Sequence, residues 1–235
     1  MNGVIGVDNS LITAAHELKT PLVLMRQLAI ELENTDDESR KQEITRRIKL
    51  TAERSLRLAD NLTKMARLED AMFEMEPIQL TGLISEVVDE ISPLSKAMGQ
   101  QICIQTGKKP LVAVGHRELL RSLMMGLIDN AIQYSQSSKR IDISTKIKEN
   151  ESLISIRDYG AIIDLAEYRK VSESLGQRTM PLSSRPLSSG LGLLIASRFA
   201  AAMGGHLSMS RHHSGGVTFR AHLPSSLQLS LLETI

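Results

Sequence analysis

The sequence predicts a multidomain chain, with an all-α domain followed by an α+β domain in which helices cover a mixed sheet. Apolar residues recur at helical spacings over about the first seventy residues, and strand-like stretches alternate with apolar helices after Glu76-Pro77. A length of 235 residues with 42% hydrophobic content is enough to bury a core in each domain. We expect the division to fall between residues 1–72 and 73–235.

The N-terminal segment predicts an antiparallel helical hairpin. Its first helix carries an apolar seam whose spacings alternate between four and three: Leu11, Ala15, Leu18, Leu22, Met25, Ala29 and Leu32. The turn and cap residues "ENTDDES" (33–39) follow, and a second helical stretch runs to about Asp70, its rhythm interrupted by Thr51 and Ser55. Because such a hairpin has too little core of its own, we expect a second copy to complete a dimeric four-helix bundle.

The C-terminal segment predicts an α/β sandwich of helices and strands. Helices are expected at "TGLISEVVDEISPLSKAMG", bent or ended by Pro93, at "HRELLRSLMMGLIDNAIQYS" and at "GLGLLIASRFAAAMGG". Strands are expected at "QICIQT", "LVAV", "RIDISTKIK" and "SLISIRD", with a terminal hairpin formed by "HLSMSR" and "GVTFRAHL". Residues 161–189 are polar, and we expect a long loop there with room for one short helix.

Composition limits the partners and the compartment. The net charge is +1, aromatic residues make up 3% and tryptophan is absent, so we expect no nucleic-acid partner. The single cysteine, Cys103, fits a reducing compartment. No apolar run reaches the roughly 18 residues of a membrane span, and the first ten residues do not resemble a signal peptide. We therefore expect a cytoplasmic chain without a membrane segment, or a soluble piece cut from a larger protein.

The stretch "AAHELKTPL" (14–22) places reactive side chains in a helical pattern. If Ala15 belongs to the seam, His16, Glu17 and Thr20 lie on the outward face, with His16 and Thr20 one turn apart. Glu17 can orient the imidazole or accept its proton, which makes the other ring nitrogen a better nucleophile. Pro21 removes a backbone hydrogen bond and loosens the helix there. A solvated surface histidine is the alternative interpretation.

Two further segments carry candidate binding residues on helices. In "SSGLGLLIASRF", Gly190 and Gly192 at the start of an apolar helix leave N–H groups open to an anion, or they serve only close packing against the sheet. In "GLIDNAIQYS", the amide oxygen of Asn130 is a suitable ligand for Mg²⁺, or the residue is a buried asparagine satisfied by backbone. Both alternatives stay open on these motifs alone.

The third segment, "RDYG", ends a strand and begins a loop. The carboxylate of Asp158 can accept a hydrogen bond from the amino group of adenine. An Asx-type turn is the alternative, and such turns are common.

Together, and in this order, these segments resemble the catalytic core of a two-component sensor histidine kinase. "HELKTPL" is similar to the phosphoacceptor motif of that family, "DNAIQYS" to its asparagine motif, "DYG" to its first glycine motif and "GLGLLI…MGG" to its second. The resemblance extends from about residue 8 to Pro224. It implies a dimerisation and phosphotransfer hairpin followed by an ATP-binding domain of the gyrase and chaperone type.

The resemblance implies a role for each matching residue. His16 would accept the γ-phosphoryl group of ATP and pass it to an aspartate of a response-regulator receiver domain, with Glu17 as the adjacent base. Glu17 and Thr20 also match the pattern that assists hydrolysis of the receiver's aspartyl phosphate. The implied nucleotide site binds ATP and Mg²⁺. Asn130 would ligate the metal, Asp158 would bind the adenine, and Gly190 and Gly192 would hold the phosphates. The other motif residues complete the implied site: Tyr134, Gly160 and Leu191.

The nucleotide half departs from the family pattern. In the asparagine motif, Gly126 occupies the position where the family usually has a second asparagine, and Gln133 occupies one where a basic residue is frequent. Ile162 replaces a glycine of the first glycine motif, and Ser188 replaces a glycine of the second. An ATP-dependent histidine kinase is the leading hypothesis. The alternatives are a phosphotransfer protein that has lost ATP binding, a receiver phosphatase using Glu17 and Thr20, and an unrelated nucleotide-binding protein of the same fold.

Overall fold

The structure is a computed structural model, and it describes residues 4–68, 73–105, 107, 111–135, 140–175 and 191–225. Six helices and seven strands are assigned within these ranges. The helices are α1 (Val4–Glu33), α2 (Glu38–Ala66), α3 (Leu80–Ala97), α4 (Arg117–Tyr134), α5 (Leu165–Ser174) and α6 (Leu191–Ala202). The strands are β1 (Glu76–Gln79), β2 (Gln101–Gln105), β3 (Val112–Gly115), β4 (Arg140–Lys148), β5 (Glu151–Asp158), β6 (His206–Arg211) and β7 (Val217–Pro224).

The predicted hairpin is formed by α1 and α2, which contact each other along their length. Asp37 caps α2, because its side chain accepts hydrogen bonds from the backbone N–H groups of Ser39 and Arg40. Among the hairpin side chains that the structure describes, the buried apolar ones are Leu28 of α1 and Ile44 of α2. The short polar turn therefore ends one helix and begins the next as the sequence predicted.

The predicted seam of α1 is only half correct. The seam residues Leu18, Met25 and Leu32 are half-buried, whereas Ala15, Leu22 and Ala29 are exposed within this chain, and the side chain of Leu11 lies outside the described residues. Leu28 is buried and Ala14 and Pro21 are half-buried, and each of them lies one residue before an exposed seam position. Because an α-helix has 3.6 residues per turn, adjacent stripes differ by a small rotation, and spacing alone does not say which one faces α2.

The C-terminal part contains a five-stranded mixed sheet in the order β2-β4-β5-β7-β6 and a two-stranded antiparallel sheet of β1 and β3. Only the β2–β4 pair is parallel within the larger sheet. One face of this sheet packs against α4 and α6 through alternate residues, such as Phe219, Ala221 and Leu223 of β7. The residues between them, Arg220 and His222, lie on the opposite face and are half-buried.

Two features of this part go beyond what the sequence predicted. Of the two outcomes expected for Pro93, a bend or an end of the helix, the structure excludes the end, since α3 continues to Ala97. The proline costs the helix the backbone bond to Asp89, and the buried face of α3 on either side compensates for that loss. Strand β1 was not predicted, because it has four residues and contains Pro77, and only its pairing with β3 defines it.

The hairpin and the C-terminal part are in contact. Lys64 of α2 donates a hydrogen bond from Nζ to Oγ of Ser122 on α4 at 2.9 Å. Helix α6 contacts both α1 and α2. These contacts leave a cleft between the hairpin, α4 and α6.

Candidate functional site

The cleft between the hairpin and the C-terminal part has a volume of about 450 Å³. Its walls come from α1, α2, α3, α4 and α6, and five of the candidate residues line it: Glu17, Thr20, Asn130, Leu191 and Gly192. A volume of this size falls within the roughly 300–1,000 Å³ of small-molecule sites. Three motifs that are far apart in the sequence therefore meet at one cavity.

His16 lies on α1, directly before Glu17, which lines this cavity. It is exposed, as the helical pattern predicted, and it is not itself among the residues that line the cleft. Thr20, one turn later, donates a hydrogen bond from Oγ1 to the carbonyl oxygen of His16 at 3.1 Å. Glu17, which the pattern placed on the same outward face, is half-buried and lines the cleft.

Pro21 lies inside α1 and also lines the cleft. It has no backbone N–H, so the carbonyl of Glu17 lacks its usual helical donor. The extra bond from Thr20 to His16 is of the kind that bends helices slightly. The helix nevertheless continues through the motif to Glu33.

The asparagine motif lies on α4, with Asn130 half-buried in the cleft wall. Its neighbour Asp129 forms an ion pair with Arg54 of α2, with 3.2 Å between Oδ2 and Nε. Gln133 donates from Nε2 to the same carboxylate oxygen at 3.1 Å. The residue at the family's usual basic position is therefore engaged with Asp129, on the hairpin side of α4.

Asp158 is buried at the end of β5, with 4% of its surface exposed. Its Oδ1 accepts a hydrogen bond from the N–H of Gly160 at 3.0 Å, and its Oδ2 accepts one from the N–H of Val217 at 3.3 Å. The first bond is the Asx-type turn that the sequence left open. The carboxylate is therefore held in a fixed orientation between two segments of backbone.

Gly160 packs directly against the end of α4. A Cβ at this position would lie 2.1 Å from the carbonyl oxygen of Tyr134, so no larger residue fits without movement. Tyr134 is half-buried and lies one turn after Asn130. This contact brings Asp158, Gly160 and Tyr134 together, although none of the three lines the cleft.

Tyr159, between Asp158 and Gly160, is anchored on the sheet. Its hydroxyl donates to Oδ2 of Asp142 at 2.6 Å, and this hydrogen bond raises the pKa of Tyr159. The guanidinium of Arg157 lies 4.3 Å from the centre of the tyrosine ring. Burial raises the pKa of Asp142, but hydrogen bonds from Arg140 and Tyr159 outweigh it, so the net shift is downward.

The second glycine motif is described only in part. Gly190 and Ser188 lie outside the described residues. Leu191 is buried, with 1% of its surface exposed, and Gly192 is exposed with nothing within 4 Å of the position of a Cβ. The first described turn of α6 thus presents an open backbone to the cleft.

Sequence reasoning missed the basic wall of the cleft. Arg47, Arg54 and Arg57 of α2 all line it. The polar residues Thr51 and Ser55, which interrupt the apolar rhythm of α2, line it as well. That interruption was the available signal, since polar residues on an otherwise apolar stripe indicate that the stripe faces a polar cavity.

Comparison with known proteins supports the same class. Residues 115–227 match the family described as histidine kinase-, DNA gyrase B- and HSP90-like ATPase. Sensor protein CutS of Streptomyces coelicolor is 25% identical over 213 residues, covering 90% of this chain and 51% of that protein. Sensor histidine kinase WalK of Bacillus subtilis is 26% identical over 219 residues, covering 89% of this chain and 35% of that protein. The chain therefore spans about half the length, or less, of these curated relatives.

Solved structures share the fold. Acinetobacter baumannii histidine kinase AdeS has a TM-score of 0.60 at 17% identity, covering 89% of this chain and 97% of that one. Histidine kinase ThkA in complex with response regulator protein TrrA has a TM-score of 0.64 at 18% identity, covering 95% of this chain and 62% of that one. These likenesses concern the arrangement of the helices and strands.

Residues 115–227 are thus similar to this ATPase family, and about nine tenths of the chain is similar to curated proteins named as sensor proteins or sensor histidine kinases. Among the described helices, none is both long enough and apolar enough to cross a bilayer.

Proposed function

We propose that this chain is a protein-histidine kinase that transfers the γ-phosphoryl group of ATP to His16 and then to an aspartate of a response-regulator receiver domain. The cleft is the observation that carries the proposal. It joins the turn after His16, through Glu17 and Thr20, to Asn130 and to the start of α6. Such a site can place a phosphoryl donor beside an exposed imidazole.

The proposed reaction uses groups on one turn of α1. A ring nitrogen of His16 attacks the γ-phosphorus, a P–N bond forms, and the bond to the β,γ-bridging oxygen breaks so that ADP leaves with that electron pair. Glu17 takes the proton from the other ring nitrogen. The exposed position of His16 leaves the ring accessible to both the donor and a receiver domain. Glu17 and Thr20 are also the residues we propose for hydrolysis of the receiver's aspartyl phosphate.

Phosphoryl transfer depends mainly on positioning and on neutralising charge. We propose that Arg47 and Arg57, which line the cleft, supply positive charge near the phosphates. Mg²⁺, when bound through the amide oxygen of Asn130, would neutralise further phosphate charge. The amide lies in the cleft wall, and the backbone at Gly192 is open, so these residues fit the group.

The rest of the proposed nucleotide site surrounds these residues. Asp158 is proposed to accept a hydrogen bond from the adenine amino group, with Gly160 and Tyr134 fixing its surroundings. Gly190, Leu191 and Gly192 are proposed to hold the phosphates at the N-terminal turn of α6, where N–H groups and the helix dipole favour an anion.

We further propose a homodimer formed by the hairpin, with residues 1–72 as the dimerisation and phosphotransfer domain and 73–235 as the ATP-binding domain. Leu22 is 57% exposed, Val23 51% and Ile30 47%, and a second copy would cover them. Because the proposed substrates are ATP and a receiver domain, we place the reaction in the cytoplasm.

One alternative has a specific observation in its favour. Gly126 provides no side chain to the cleft, and Gln133 is bonded to Asp129, at the two positions where the family usually has an asparagine and a basic residue. A chain with such a site fits a histidine phosphotransfer protein that relays phosphate between receiver domains without using ATP. His16 would carry the phosphoryl group in both cases.

Incubation with γ-labelled ATP and Mg²⁺ separates the two functions. The kinase proposal predicts an acid-labile, base-stable label on the protein that is absent from His16→Ala and Asn130→Ala. The variant His213→Ala, at an exposed histidine of the β6–β7 turn, serves as the matched control and keeps the label. Absence of label from ATP, together with His16-dependent label taken from a phosphorylated receiver domain, would overturn the kinase proposal in favour of the alternative.

A further inference from the structure

A cluster of side chains that can ligate a metal lies outside the cleft, on the face of the five-stranded sheet opposite α4 and α6. Glu151 of β5, His222 of β7 and His206 of β6 come from three adjacent strands. One ligand atom from each, a histidine nitrogen or a carboxylate oxygen, lies within 4.8 Å of the other two. Among the described residues, no other group of three histidine, cysteine or acidic side chains has ligand atoms as close together as these.

The strand pairing fixes the backbone of this cluster. His206 and His222 are directly opposite each other in the β6–β7 pair, and their rings stack with centroids 4.1 Å apart. Gly205 allows the two strands to approach closely at this point, because a Cβ there would lie 2.0 Å from the carbonyl oxygen of His222. Glu151 lies diagonally across from His222, since its own partner in β7 is Pro224.

The hydrogen bonds of His222 suit a metal ligand. Its Nδ1 lies 2.9 Å from Oε2 of Glu151, and its Nε2 lies 2.8 Å from Oγ of Ser208. A metal-bound histidine commonly donates its other ring N–H to an oxygen, which fixes the orientation of the ring. Ser208 is placed to accept that bond if Nδ1 is the coordinating atom.

We propose that Glu151, His206 and His222 form a binding site for a divalent transition metal, with Zn²⁺ as the probe ion. Two imidazoles and one carboxylate are a donor set found at zinc centres in which a fourth position stays open. His206 is exposed, so rotation of its side chain can bring its nitrogen toward the other two ligands, and the open position faces solvent. The site is independent of the proposed kinase function.

Zinc titration of the full chain, in competition with a chromophoric chelator, tests the site. All proteins carry Cys103→Ser, which removes a competing thiol. We expect one zinc ion per chain, at least tenfold weaker binding in His206→Ala, His222→Ala and Glu151→Gln, and binding weakened by about 10-fold or more in Ser208→Ala. His213→Ala, the matched control, should bind as the parent does.

A second measurement covers variants that fail to fold. In the parent chain, zinc should shift the imidazole NMR resonances of His206 and His222 and leave those of His213 in place. Absence of stoichiometric binding, equal binding by the three ligand variants and the control, or resonance shifts confined to other histidines would each overturn the proposal.

Discussion

Gly126 offers a direct test of the proposed nucleotide site. It lies one turn before Asn130 on α4, so both residues face the cleft. Nothing lies within 4 Å of the position that a Cβ would occupy, so the cleft has room for a side chain there. We predict that Gly126→Asn, which supplies the amide usual in the family, increases the affinity for ATP with Mg²⁺.

The size of the effect follows from two contributions. A hydrogen bond to a charged group contributes about 1.5–3 kcal/mol, which corresponds to roughly 10- to 100-fold tighter binding. Replacing a helical glycine also stabilises the fold, by about 1 kcal/mol for alanine and about 0.3 kcal/mol for asparagine. Gly126→Ala is therefore the matched control, since it changes the helix backbone without supplying an amide.

Calorimetric titration with ATP and Mg²⁺, combined with thermal unfolding, measures both quantities. The asparagine variant should bind ATP at least tenfold more tightly than the alanine variant, while the alanine variant should be the more stable of the two. Equal ATP affinity in the two variants would refute the reasoning, because it would show that this position does not contact the nucleotide.

Two further predictions follow from single contacts. Gly160→Ala would place a Cβ 2.1 Å from the carbonyl oxygen of Tyr134. Urea unfolding of this variant should therefore show a free energy of unfolding lower by about 1–3 kcal/mol, and titration with ATP should show weaker binding. Unchanged stability would contradict the close contact. Arg54→Ala removes the ion pair with Asp129. Because the arginine is half-exposed, the free energy of unfolding should fall by less than about 1 kcal/mol. Autophosphorylation should nevertheless become slower, since the ion pair holds α4 against the hairpin, and an unchanged rate would contradict that role.

Periodic elements could be predicted from the sequence because their burial repeats along the chain. The alternation of Val217, Phe219 and Leu223 predicted a strand with one buried face, and these side chains are buried in β7. The long amphipathic helices of the hairpin were predicted for the same reason. Local spacing did not reveal which of two neighbouring stripes of α1 faces its partner, and Leu28 was missed as a result.

Features that depend on distant residues could not be predicted. Strand β1 is defined by its pairing with β3, and the pairing of Arg54 with Asp129 joins residues on two different helices. The motifs themselves indicated Glu17 and Asn130, but only the fold shows that both line one cleft. The histidines of the metal cluster are likewise separated in sequence, and adjacent strands bring them together.

The central claim is that the imidazole of His16 receives phosphate from a nucleotide held beside it. Mass spectrometry of the protein after incubation with ATP and Mg²⁺, under conditions that preserve phosphoramidates, locates the phosphoryl group directly. The account predicts phosphorylation at His16 that disappears when ATP is omitted. Phosphate found on another residue, or none in a preparation that binds ATP, would contradict it.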